Sequence, residues 1–278
     1  MDLLQKKESW YFLDSGFNDA ATNMAIDELL IDWHSKDLIK PTLRFYGWER
    51  PSLTVGHFQN VKKTINMPGL TAHKCDFVRR LTGGSAVLHD DELTYSIVVS
   101  EAHPNIPKSV NKAYYILSQG LLAGYQSMNI PAEFSMPEKE LTRERTAVCF
   151  EKPASYEMIV NNKKISGNAQ TRKKGVLLQH GSIPLSFNHN MLFDLFAFSS
   201  EKVRERQKSA FLNKAISIND VSSDKKTYDD LKAAFYNGFK EKLDVEFEPL
   251  ELTSDQWKEI NALADSKYRT DTWNLNLK

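Results

Sequence analysis

Hydrophobic positions recur every three or four residues in several stretches of the chain and gather in shorter runs between them. Ala21, Ala25, Leu29 and Trp33 fall near one helical face, with Met24 and Leu30 beside them. Asn18 or Asp19 precedes them as a cap, so a helix is expected over about 19–34, ended by Pro41. The same period in Val110, Tyr114, Leu117, Leu121 and Tyr125 predicts a helix over about 110–128. Further helices are expected over 191–196, 201–212, 228–243 and 254–266. Short β-like runs lie between: Leu43, Phe45 and Tyr46; Leu53 and Val55; Phe77 and Val78; Val87 and Leu88. Leu93–Val99 is the strongest strand signal, and Gly175 leads into another over 176–185. Residues 155–160 and 164–170 read as a hairpin around Asn161-Asn162. Residues 137–146, rich in Glu, Lys and Arg, read as a loop.

Strands thus fill the middle of the chain, with few clean strand–helix–strand units. The pattern predicts an α+β fold with a mixed, largely antiparallel sheet flanked by helices. No repeat, low-complexity tract or linker divides it. The 278 residues read as a single domain over 1–278, with a small helical cap after about residue 190 packed on it.

Charge narrows the function classes. Lys plus Arg is 36 and Asp plus Glu is 36, so the basic excess that nucleic-acid backbones demand is missing. A polybasic membrane surface is excluded on the same ground. Two cysteines cannot build a disulfide framework, no run of about 18 apolar residues occurs, and the opening stretch lacks a signal-peptide core. A cytoplasmic protein with reduced thiols is expected. No HExxH or CxxC spacing appears, so no metal site is expected.

Three clusters could carry chemistry. In Arg79-Arg80-Leu81-Thr82-Gly83-Gly84-Ser85-Ala86-Val87-Leu88-His89, two arginines end a strand and a Gly-Gly turn lets a backbone approach a ligand. In Lys164-Ile165-Ser166-Gly167-Asn168-Ala169-Gln170, a strand lysine precedes small residues that leave space. In Val148-Cys149-Phe150, a thiol stands where a polar loop meets a strand. Each alone has a bland reading: a turn with exposed arginines, a solvated strand lysine, an inert buried thiol.

The joint pattern is specific. These three clusters, in this order, with Leu43–Trp48 and Val55–Asn60 ahead of them, resemble the biotin/lipoate-protein ligase catalytic superfamily. The resemblance runs from about Trp10 to Phe211, and within the superfamily the chain is most similar to the octanoyltransferases. It implies transfer of octanoate from an acyl carrier protein to a lysine of the glycine cleavage H protein or another lipoyl domain. No cofactor, nucleic acid or membrane is implied, and the protein would act as a monomer. Cys149 is implied to be the acyl-carrying nucleophile and Lys164 its partner beside the reacting carbonyl. Arg79, Thr82, Gly83, Gly84, His89, Gly167, Asn168 and Ala169 are implied to bind substrate. Ser85 stands where the ATP-dependent ligases often have a third glycine. An ATP-dependent lipoate ligase and an amidotransferase between lipoyl domains share the fold and stay open. A ligand-sensing repressor is disfavoured, because no basic helix-turn-helix precedes the fold.

The implied chemistry sets physical demands. A thioester donor is already activated, so a cysteine acyl-enzyme needs no nucleotide. A free thiol of pKa about 8.5 is only a few per cent thiolate at pH 7. Lowering that value by about two units takes roughly 2.7 kcal/mol, within reach of an ammonium in contact at an effective dielectric near 20. Lys164 is therefore expected next to Cys149. Arg79 and Arg80 are alternatively expected to meet the phosphopantetheine or the acidic face of a carrier protein.

Overall fold

The computed structural model describes residues 7–135 and 156–275; Cys149 and the expected loop over 137–146 lie outside them. The chain opens with β1 (Glu8–Asn18), α1 (Ala20–Ser35), β2 (Thr42–Trp48) and β3 (Ser52–Val55). It continues with α2 (Met67–Ala72), β4 (Asp76–Arg79), β5 (Val87–His89) and β6 (Glu92–Ser100). Then come α3 (Val110–Leu117), α4 (Gln119–Ser127), β7 (Glu133–Phe134), β8 (Met158–Val160) and β9 (Lys163–Lys164). β10 (Gly167–Lys173), β11 (Val176–Pro184), α5 (His189–Asp194), α6 (Glu201–Leu212) and α7 (Ile218–Val221) follow. α8 (Tyr228–Leu243), β12 (Val245–Pro249), α9 (Ser254–Leu263) and α10 (Asp271–Asn274) complete it. A π-helical turn, Ala264–Tyr268, joins the last two helices.

The main sheet runs β10-β11-β6-β2-β1-β12. Its β10–β11, β11–β6 and β6–β2 pairs are antiparallel, whereas β2–β1 and β1–β12 are parallel. The fold is therefore α+β with a mixed sheet, and helices cover both faces. Leu43, Phe45, Tyr95, Ile97 and Leu177 pack with α4 and α8 on one face. Leu13, Tyr46, Val98 and Leu178 pack with α1 and α9 on the other. α4 and α8 approach closely because glycines face them. A Cβ at Gly124 would lie 2.3 Å from the Phe235 ring, and one at Gly120 2.2 Å from the Phe239 ring. A second sheet, β4-β3-β5, carries its own apolar cluster against α5 and α6.

Several elements depart from the sequence reading. The expected helix over 110–128 breaks at Ser118, which ends α3 and starts α4. The C-terminal segment, expected to be helical, also supplies β12 as an edge strand beside β1. The strand expected over 164–170 divides. Lys164 closes the β8–β9 hairpin, whose turn residues Asn161 and Asn162 both have positive φ, and Gly167 opens β10 in the main sheet. No helix among the described residues is long and apolar enough to cross a membrane.

Candidate active site

β6 explains how the site arises. Its odd positions, Leu93, Tyr95, Ile97 and Val99, are apolar and join the core under α4 and α8. Its even positions Glu92, Thr94 and Ser96 turn polar groups to the opposite face, as the two-residue period requires. His180 and Ser182 of β11 and Arg44, Tyr46 and Trp48 of β2 continue that polar face. The Gly-Gly loop between β4 and β5 closes over it. The result is a narrow cleft with a cavity volume of about 50 Å³. Gly84, His89, Gly167, Asn168 and Ala169 line it, with Met24, Trp48, Arg80 and His180 among the other walls.

Arg80 organises the loop. It is 4% exposed, and its Nη2 donates to the carbonyls of Gly83 (2.8 Å) and Ser85 (2.9 Å). Gly84, at φ +99°, takes a conformation that a side chain would strain. Two parallel relays start from the same guanidinium. In the first, Arg80 Nε donates to Thr82 Oγ1 (3.1 Å), Thr82 pairs with His180 Nε2 (2.7 Å), and His180 Nδ1 meets Asp27 (3.2 Å). In the second, Arg80 Nη1 donates to Thr54 Oγ1 (3.2 Å), Thr54 pairs with His89 Nε2 (2.9 Å), and His89 Nδ1 meets Glu92 (2.7 Å). His89 also stacks on Trp48 at 4.1 Å.

Charge balances along these relays. Asp27 is completely buried and pairs with Arg44 Nη1 at 2.7 Å. Burial opposes its charge, but Arg44, His180 and Ser96 together hold its carboxyl below the usual range. Burial pushes His180 below the ordinary histidine value despite the Asp27 charge, so its ring is neutral at physiological pH. A neutral ring then donates from Nδ1 to Asp27 and accepts the Thr82 hydroxyl proton at Nε2.

Lys164, three residues before the cleft-lining Gly167, is 4% exposed. Its main chain is fixed by Lys214 and Ile216, and its Nζ donates to Glu157 Oε1 at 2.5 Å. Tyr114 links this pair to the cleft wall. Its hydroxyl accepts from Asn168 Nδ2 at 3.0 Å, and its pKa is pushed up to about 12, first by burial and then by Glu157, with Lys164 opposing. Asn168 Oδ1 in turn accepts from Tyr95 at 2.9 Å.

The structure therefore gathers Gly84, His89, Gly167, Asn168 and Ala169 around one cleft; Thr82 and Gly83 bond to its wall residues His180 and Arg80, and Lys164 lies three residues before Gly167 without lining the cleft itself. Arg79 is occupied elsewhere. It is 1% exposed, and its guanidinium donates to the carbonyls of Gly56, His57, Gln59, Trp273 and Asn274. Arg79 thus ties the 56–59 loop to the C-terminal helix, and neither it nor Arg80 is free to meet an acidic carrier face. Sequence reasoning missed Asp27, Trp48, Glu92, His180 and Glu157. The Asn161-Asn162 turn offered a signal for Glu157: its register sets Ile159 opposite Lys164, which makes Glu157 a diagonal neighbour on the same face.

The fold and cleft define a class. The chain matches the lipoyl protein ligase A/B catalytic domain over residues 19–240, and it belongs to that family. Its fold is similar to a bipartite lipoate protein ligase from Thermoplasma acidophilum (TM-score 0.77, 22% identity, 98% of each chain). It is also similar to lipoate-protein ligase A bound with ATP (TM-score 0.75, 23% identity, 98% of this chain and 100% of the other). Relatives named octanoyltransferase LipM lie nearer in sequence. The Halalkalibacterium halodurans protein is 48% identical over 96% of this chain and 99% of its own length. The Bacillus subtilis protein is 46% identical over 97% and 99%.

Proposed function

We propose that this chain transfers octanoate from the thioester of an acyl carrier protein to a lysine of a lipoyl domain, such as the glycine cleavage H protein, through Cys149. The chain is an acyltransferase of its family, and its nearly full-length relatives carry the octanoyltransferase name. The observation that carries the mechanism is the buried Lys164, held against Glu157 three residues before the cleft-lining Gly167. A buried ammonium has the charge that a thiolate or an oxyanion needs nearby.

In the first step the Cys149 thiolate attacks the donor carbonyl and the carrier thiol leaves. In the second step the acceptor amine attacks the Cys149 thioester, an amide forms, and the Cys149 sulfur leaves. Lys164 has three N–H donors, and Glu157 takes one of them. Met24, Trp48, Val87 and Ala169 give the acyl chain apolar contact, worth up to about 0.8 kcal/mol per buried CH₂. Tyr156 and Glu157 follow Cys149 by seven and eight positions in the sequence, and Glu157 pairs with Lys164.

The test supplies octanoyl carrier protein as the sole acyl source, with a lipoyl-domain protein and no nucleotide. Transfer under these conditions supports the reading. Transfer only with ATP and free octanoate would instead make the chain a ligase.

A further inference from the structure

Glu157 carries a feature that anchoring Lys164 does not use. Its Oε1 accepts from Lys164, whereas its Oε2 is buried with no hydrogen-bond partner among the described residues. Its backbone is fixed on both sides, since Glu157 N donates to Ser135 Oγ (3.0 Å) and its carbonyl accepts from Ser135 N (2.8 Å). A buried carboxylate oxygen without a donor costs about 1–3 kcal/mol, so its persistence calls for a ligand that supplies one. The proposed second substrate does so. A lysine enters as an ammonium and must lose a proton before it can attack.

On the reading above, we infer that Glu157 Oε2 receives the acceptor lysine and takes its first proton. Transfer from ammonium to carboxylate replaces two charges in a desolvated site with none, which burial favours. The freed lone pair then attacks the Cys149 thioester. The second proton of the nitrogen passes to the sulfur as the C–S bond breaks. Glu157 returns its own proton to water when the amide product leaves. Oε1 meanwhile keeps Lys164 in place.

Glu157→Gln keeps the shape and an acceptor for Lys164 but puts an NH₂ where Oε2 stood. Loading of Cys149 from octanoyl carrier protein should stay within about threefold of wild type. Discharge of the loaded enzyme to a lipoyl-domain protein should fall about 100-fold. Discharge to hydroxylamine, which is uncharged at neutral pH and has no proton to surrender first, should be unchanged. If both discharges and loading fall together, Glu157 only positions Lys164 and the inference is overturned; a wild-type rate of discharge to the lipoyl domain also overturns it. Should Glu157→Gln not fold, Glu157→Asp retracts the charge by one methylene and carries the same comparison, with slower discharge to the lipoyl domain alone as the expected result. A wild-type enzyme that never loads defeats the acyl-enzyme reading itself, a separate outcome from a loaded variant that discharges normally.

Discussion

Lys164 Nζ stands 2.5 Å from Glu157 Oε1, and both residues are buried. The ammonium that would activate Cys149 therefore arrives already paired. Removing it does two things: the ammonium disappears, and the buried Glu157 carboxylate loses its partner. Lys164→Ala should raise the Cys149 pKa by about 1–2 units and slow its alkylation about 10–100-fold at neutral pH. Iodoacetamide rates measured against pH check this. The double variant with Glu157→Gln should recover part of the loss. Equal reactivity in wild type and Lys164→Ala contradicts the pairing.

The two cysteines should behave differently. Cys75 is buried beneath α2, and that burial pushes its thiol up to about 12. It should resist alkylation in the native protein and react only after unfolding in urea. Mass spectrometry should find one modified thiol in native protein and two in denatured protein. Cys75→Ala should transfer at the wild-type rate.

Arg79 should be a residue of stability. Its five carbonyl partners join the 56–59 loop to the C-terminal helix. Lys cannot reproduce that fork, so Arg79→Lys should cost about 2–4 kcal/mol in urea unfolding, with KM for the acyl donor unchanged. A raised KM with unchanged stability would return Arg79 to the substrate.

Stability should fall on acidification in a way that His180 helps to set. The folded state holds His180 below its ordinary 6.5, because burial outweighs Asp27. Below pH 6.5 the unfolded chain then binds a proton that the folded chain refuses, so stability falls as pH falls. Asp27, held below its ordinary 3.8, adds a second loss under that value. Melting temperatures should decline between pH 6.5 and about 5 in wild type and less steeply in His180→Gln. Identical slopes would remove His180 from the account.

What was legible in the chain follows from how local each signal is. α1, α8 and α9 repeat apolar residues at helical spacing, and β6 is β-branched and aromatic, so these elements announced themselves. β1 was hidden because Ser15 and the positive-φ Gly16 interrupt its alternation at a bulge. β12 is short, half-exposed and ends in Pro249, so nothing local distinguishes it from loop. At the site, the Gly-Gly loop and Lys164 were visible as motifs. The work of Arg79 and Arg80 was not, since the carbonyls they bind come from segments up to 195 residues away. Asp27 and His180 meet across 153 positions, a distance that no spacing rule spans.

The central claim is that one sulfur carries the acyl group between two proteins. The most direct measurement is the intact mass of the full chain after exposure to octanoyl carrier protein without nucleotide or acceptor. One octanoyl group should appear, map to the peptide containing Cys149, vanish in Cys149→Ala and leave when a lipoyl domain is added. An unmodified mass under these conditions, or an adduct that survives in Cys149→Ala, contradicts the account.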